Sequence, residues 1–220
     1  MPSCANPTTV MISEKRKQEL AAVIGKYNLI LIEDDIHAFL TAGIIKDYEG
    51  SMYRLLPDQT VYICGTTKSL CSGLRVAYMV FAPKFREQIR KAIFNINVKT
   101  SSLDSEIITE LILSGKASEM VAAKKALAQL ANELYYRYFP DVPKTGHPLS
   151  FYRWLPISTK GSAEELINGL QGKGVRIYHS NRFLVGSGTR EQYLRVALAS
   201  ARSFHELEKG LDILKQHLNQ

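Results

Sequence analysis

An unbroken apolar run, Leu29-Ile30-Leu31-Ile32, stops abruptly at Glu33-Asp34-Asp35. A run without alternation reads as a strand buried on both faces, as in a parallel sheet. Its acids then fall at the C-terminal edge, where open α/β sheets gather their ligands. Val61-Tyr62-Ile63-Cys64 reads as a second short buried strand, running into the small-residue turn Gly65-Thr66-Thr67-Lys68-Ser69. Leu74 to Ala82 reads as a third strand, and Pro83 opens the next helix. Asp34 and Lys68 therefore follow neighbouring strands. A carboxylate and an amine so placed can form a structural ion pair. They can equally serve a cationic ring nitrogen and an electrophilic carbonyl. The Gly-Thr-Thr lead-in offers free backbone N–H groups and hydroxyls as an anion nest, with Arg75 seven residues beyond Lys68.

The flanking pattern is helical. Ser13 can cap a helix running to about Tyr27, with Leu20, Val23 and Ile24 on one face. Further helices are expected from Lys84 to Asn95, Leu103 to Leu113 and Ala117 to Tyr138, with Gly115 as a break. Pro140, Pro143, Gly146 and Pro148 then form a joint. Beyond it, strands are expected at Leu149–Ile157, Val175–His179, Arg182–Val185 and Tyr193–Ala199. Helices are expected at Ala163–Lys173 and Ser203–Leu218. The result is an α/β layer, a linking helix and a smaller α+β unit. Three strands make a thin first sheet, as if it were the rear of something larger.

Composition narrows the class. With 220 residues, 45% of them hydrophobic, the chain fits one to two globular domains. Its apolar runs fall far short of the ~20 residues that span a bilayer. The start lacks a signal-peptide pattern, so a cytoplasmic protein without membrane contact is expected. The net charge of +7 is scattered, and Lys15-Arg16-Lys17 reads as a solvated helix face. Three cysteines, Cys4, Cys64 and Cys71, sit at no metal-ligand spacing and read as reduced thiols, with no metal expected.

Several motifs occur together in a telling order. They are Asn6-Pro7-Thr8, Ile32-Glu33-Asp34-Asp35, Gly65-Thr66-Thr67-Lys68-Ser69-Leu70 and Gly73-Leu74-Arg75-Val76-Ala77-Tyr78. His147-Pro148-Leu149, Trp154-Leu155-Pro156 and Leu194-Arg195-Val196 follow. Together they resemble the second half of a fold-type-I pyridoxal-phosphate (PLP) aminotransferase. They are most similar to the aminotransferase-like domain of MocR-type, GntR-family transcriptional regulators. The implied fold is the rear part of an aspartate-aminotransferase-like large domain (1–114), a linking helix (115–140) and a small α+β domain (141–220). The resemblance implies roles for single residues. Lys68 would form the Schiff base with PLP, and Asp34 would face the pyridine nitrogen. Asn6, whose bond to Pro7 is expected to be cis, would bond the phenolic oxygen. Arg75 and Thr67 would hold the phosphate, and Arg195 would clamp a substrate α-carboxylate.

Departures from the family pattern are visible too. His37 stands where a tyrosine usually bonds the phenolic oxygen, and imidazole titrates near neutral pH. Thr9 follows the Asn-Pro-Thr run in place of glycine, Gly65 replaces a phosphate-binding serine, and Ser72 and Ala77 replace proline and glycine. The resemblance further implies preceding chain: a glycine-rich phosphate loop, a ring-stacking aromatic and a winged-helix DNA reader. Three functions are compatible: a regulator's effector domain sensing PLP or an amino compound, a free-standing aminotransferase acting on amino acids and 2-oxo acids, or a degenerate dimerisation module. A homodimer is expected, with DNA contacted only through the winged helix.

Overall fold

The computed structural model describes residues 1–158, 161–186 and 191–219. The chain divides into two compact units, one of Met1–Cys4 and Met11–Lys124, the other of Ala5–Val10 and Lys125–Gln220.

The first unit opens with α1 (Glu14–Lys26), whose N-cap Ser13 side chain accepts from the Arg16 N–H. Strand β1 (Leu31–Asp34) follows, then β2 (Thr60–Gly65) and the single-turn helix α2 (Thr66–Ser69). Next come β3 (Ala77–Phe81), α3 (Arg86–Asn97), α4 (Ser102–Leu113) and α5 (Lys116–Tyr138), which runs past the end of this unit. Gly115, at φ 78°, separates α4 from α5 in the left-handed conformation that glycine tolerates best. The sheet order is β1-β2-β3, with β1 parallel and β3 antiparallel to β2.

Parallel pairing follows the sequence reading, but two-sided burial does not. Ile30 and Ile32 are 63% and 68% exposed, while Glu33 and Asp35 are buried. The pleat alternates as in any strand, but here it turns the acids inward. Glu33 is satisfied there by the N–H groups of Met52 (2.8 Å) and Tyr53 (3.2 Å). Ser3 donates to Asp35 Oδ2 at 2.8 Å. Lys17, also buried, closes the same region with bonds to Glu14 Oε1 (2.8 Å) and the Gly50 carbonyl (2.7 Å). These hydrogen bonds offset the cost of burying the two acids.

The second unit adds β4 (Tyr152–Ile157), α6 (Ala163–Gly172), β5 (Tyr178–His179), β6 (Gln192–Ala197) and α7 (Phe204–Leu218). Its sheet runs β4-β6-β5, antiparallel throughout. Leu134, Tyr135, Leu155, Leu170, Leu194, Leu211 and Leu214 form the core between sheet and helices. Each fully buried leucine contributes about 1.5–3 kcal/mol. Helix α6 begins with a reciprocal capping box between Ser162 and Glu165. The strand expected at Arg182–Val185 is instead a 3-10 turn, Ser180–Phe183. His179 Nδ1 accepts from the Asn181 N–H and Ser180 Oγ from the Tyr193 N–H, which folds the segment before it can extend. No helix among the described residues is long and apolar enough to cross a membrane.

Candidate functional site

Four of the seven singled-out residues lie along one edge of the first sheet. Asp34 ends β1, in register with Ile63 of β2. Lys68 and Thr67 belong to α2, directly after β2. Gly65 pairs with Ala77, so antiparallel β3 starts at this same edge, with Arg75 two residues before it. Alternation along β1 explains why Asp34 is the outward acid, between buried Glu33 and Asp35.

Local bonds tie the lysine turn to the arginine segment. The Thr66 N–H and hydroxyl both donate to the Val76 carbonyl, at 3.1 and 2.7 Å. Arg75 takes φ 51°, a left-handed conformation unusual for a non-glycine residue of this bulk and enriched at functional sites. Gly65 has its own cause. A Cβ there would lie 3.0 Å from Ile36 Cγ2, so a serine hydroxymethyl would crowd Ile36. Among the described residues the side chains of Asp34, Lys68 and Arg75 take no hydrogen-bond or ion-pair partner. An acid, an amine and a guanidinium thus share one edge without neutralising one another, so the structural ion pair is not formed.

His37 is buried at the N-terminal end of a 3-10 turn, Ala38–Leu40, whereas Asp34 is exposed. Burial is the main influence on its neighbours. It raises the pKa of Asp35 and Glu33 despite their hydrogen bonds, and raises those of Tyr62 and Cys64.

Asn6 and Arg195 meet within the second unit. Arg195 Nε donates to Asn6 Oδ1 at 2.8 Å, and its guanidinium lies 4.5 Å over the Tyr152 ring. The remaining Nη1 and Nη2 form a two-pronged donor with no partner among the described residues. Trp154 faces Arg195 across the β4–β6 ladder and stacks on Tyr193, with centroids 5.2 Å apart. The Asn6-Pro7 peptide is cis. Thr9, standing where the resembling family carries glycine, keeps the glycine conformation at φ 64°. Gly146 makes room for it, since a Cβ at 146 would collide with the Thr9 side chain.

Sequence reasoning missed Lys124 of α5. Its Nζ donates to the carbonyls of Lys68 (3.0 Å) and Leu70 (2.6 Å). Burial lowers its pKa. Only its spacing from Ala117 and Met120 on one helix face could have hinted at the contact.

The family profile for "Aminotransferase class I and II" matches residues 1–214. The chain belongs to the class I and II aminotransferase family. It is 31% identical to the uncharacterized HTH-type transcriptional regulator YdeF of Bacillus subtilis over 219 residues, which are all of this chain and 46% of YdeF. It is 23% identical to the 2-aminoadipate transaminase of Thermus thermophilus, covering 91% of this chain and 52% of that enzyme. The crystal structure of LysN, the α-aminoadipate aminotransferase of T. thermophilus complexed with N-(5'-phosphopyridoxyl)-L-leucine, superposes with a TM-score of 0.86 at 22% identity. That superposition covers 100% of this chain and 57% of LysN. The chain thus spans about half the length of these aminotransferase-family relatives.

Proposed function

We propose that this chain is the C-terminal part of an aminotransferase-like effector domain of a MocR/GntR-type regulator, and that it binds PLP through Lys68. The observation that carries the reading is the set of Asp34, Lys68 and Arg75 side chains at one sheet edge, unneutralised among the described residues. That donor set fits a group with a cationic nitrogen, a carbonyl and a phosphate. The match to a helix-turn-helix regulator over the whole chain supports the regulatory half of the reading.

PLP, when bound, supplies an electrophilic carbonyl and a ring that accepts electrons. The chain's own groups do the rest. The Asp34 carboxylate favours a proton on a nitrogen placed against it. Lys68 offers an Nζ that can hold or release a proton and act as a nucleophile. Arg75 and the Thr67 hydroxyl are suited to an anionic phosphate. On the second unit, Asn6 occupies Arg195 Nε and leaves Nη1 and Nη2 to grip a carboxylate end-on. His37, buried beyond Asp34, is assigned the tyrosine's place as a ring-oxygen donor.

The transaminase relative favours a second reading, a free-standing aminotransferase. An absorbance titration of the full-length protein with PLP, followed by an amino-acid panel, tests both. A saturable band above ~400 nm that one amino compound shifts without turnover supports the regulator. Release of 2-oxo acid over many turnovers supports the enzyme. No PLP band overturns the cofactor assignment in both readings.

A further inference from the structure

We propose that Lys124 is a positioning residue for Lys68, holding the backbone of the lysine turn from below while its own side chain stays off the ligand. The proposal rests on reading Lys68 as the amine that takes the cofactor.

The placement follows from helix geometry. Ala117, Met120 and Lys124 stand at offsets of three and seven along α5, on one face. Ala117 and Met120 pack against the small buried cluster of Leu70, Val76 and Ile108. That apolar seat fixes α5 against the end of α2, so the next side chain on the same face reaches the turn. Lys124 Nζ then lies 3.0 Å from the Lys68 carbonyl oxygen and 2.6 Å from that of Leu70.

A single-turn helix leaves its last carbonyls without intrahelical partners. Leu70, the C-cap of α2, has φ −113° and ψ −86°, so the chain has already left the helix there. Exposed loop residues Cys71, Ser72 and Gly73 follow, then the left-handed Arg75. An ammonium bonded to two of these carbonyls is the strong, charge-assisted kind of C-terminal cap. One of the two belongs to Lys68 itself, so the bond fixes the peptide plane that sets the direction of its Cα–Cβ bond. Thr66 is pinned at the other end by its two bonds to the Val76 carbonyl. The turn is braced on both sides of Lys68, and Lys124 is the brace that comes from outside the strand–turn–strand segment.

The test uses the full-length protein and its Lys124→Met and Lys124→Arg variants, each checked for folding by circular dichroism. Each is mixed with PLP and quenched with borohydride at intervals, and Lys68 labelling is read by peptide mass spectrometry. Affinity for 4'-deoxypyridoxine 5'-phosphate, which has the ring and phosphate but no aldehyde, is measured separately. Lys124→Met is expected to slow Lys68 labelling by about 10- to 100-fold, with analogue affinity within about twofold of the parent. Lys124→Arg, which keeps charge and donors, is expected to recover most of the rate. Labelling at the parent rate in Lys124→Met overturns the proposal. So does a loss of analogue affinity in step with labelling, because that marks general collapse of the site. Amide hydrogen exchange across residues 69–75 without cofactor reads the brace independently of PLP. Lys124→Met is expected to speed it, and unchanged exchange overturns the brace. A parent that never labels at Lys68, with exchange still faster in Lys124→Met, overturns the cofactor reading and leaves the brace standing.

Discussion

Arg195 combines two contacts with an open pair of donors in one side chain. Its Nε is held by Asn6, its face lies on Tyr152, and its two terminal nitrogens have no partner among the described residues. The two contacts fix the guanidinium plane, so a carboxylate in the proposed role would meet a donor whose orientation is already set. Charged hydrogen bonds contribute about 1.5–3 kcal/mol each. Arg195→Ala is therefore expected to weaken binding of an amino-acid carboxylate by roughly 10- to 100-fold. PLP affinity, measured by fluorescence titration of the same protein, is expected to change far less. Equal losses for both ligands would refute the role assigned to Arg195. The residue was legible in the sequence through its motif, Leu194-Arg195-Val196. Its grip on Asn6 was not, because 189 positions separate the pair and no local pattern links them.

At the scale of elements, β1 shows what local patterning conveys and what it omits. Antiparallel β3 was not foreshadowed, whereas the parallel pairing of β1 with β2 followed from the apolar run and α1 from its Ser13 cap. Which face of β1 is buried did not, because buried Glu33 and Asp35 depend on distant partners, Met52, Tyr53 and Ser3. Lys124 was missed for the same reason, since its partners lie more than 50 positions away. The inward acids give the element a pH dependence. Burial first, and only partly offset by Ser3, raises the Asp35 pKa above its ordinary 3.8. The folded chain then holds a proton that the unfolded chain releases. This contribution to stability is full at acid pH and is lost as pH rises from about 4 through the raised folded value. Glu33 acts in the same direction, and Glu14, held low by Lys17 and Arg54 against the opposing effect of burial, acts in the other. Asp35→Asn keeps an acceptor for Ser3 and removes the charge. Its urea midpoint, followed by hydrogen exchange of the β1 amides, is expected to exceed the parent's near pH 7.5 and to match it near pH 4. An equal difference at both pH values would contradict this account of the buried acid.

At the scale of the whole molecule, the chain carries two groups of candidate residues, each within one compact unit. Asp34, Thr67, Lys68 and Arg75 lie in the first, where Lys124 also acts, and Asn6 and Arg195 lie in the second. Family membership was readable from motif order over nearly the entire length, and the profile match over residues 1–214 bears it out. The departures at Thr9 and Gly65 also resolve into local geometry. Thr9 keeps the left-handed backbone within the second unit, and Gly65 yields space to Ile36 within the first, at the edge on which Lys68 stands. The central claim is that this edge takes PLP on Lys68. The most direct test incubates the full-length protein with PLP, reduces it with borohydride and maps the product by peptide mass spectrometry. The account predicts a stoichiometric pyridoxyl adduct on Lys68. A protein that carries no adduct, or carries it on surface lysines at random, would contradict it.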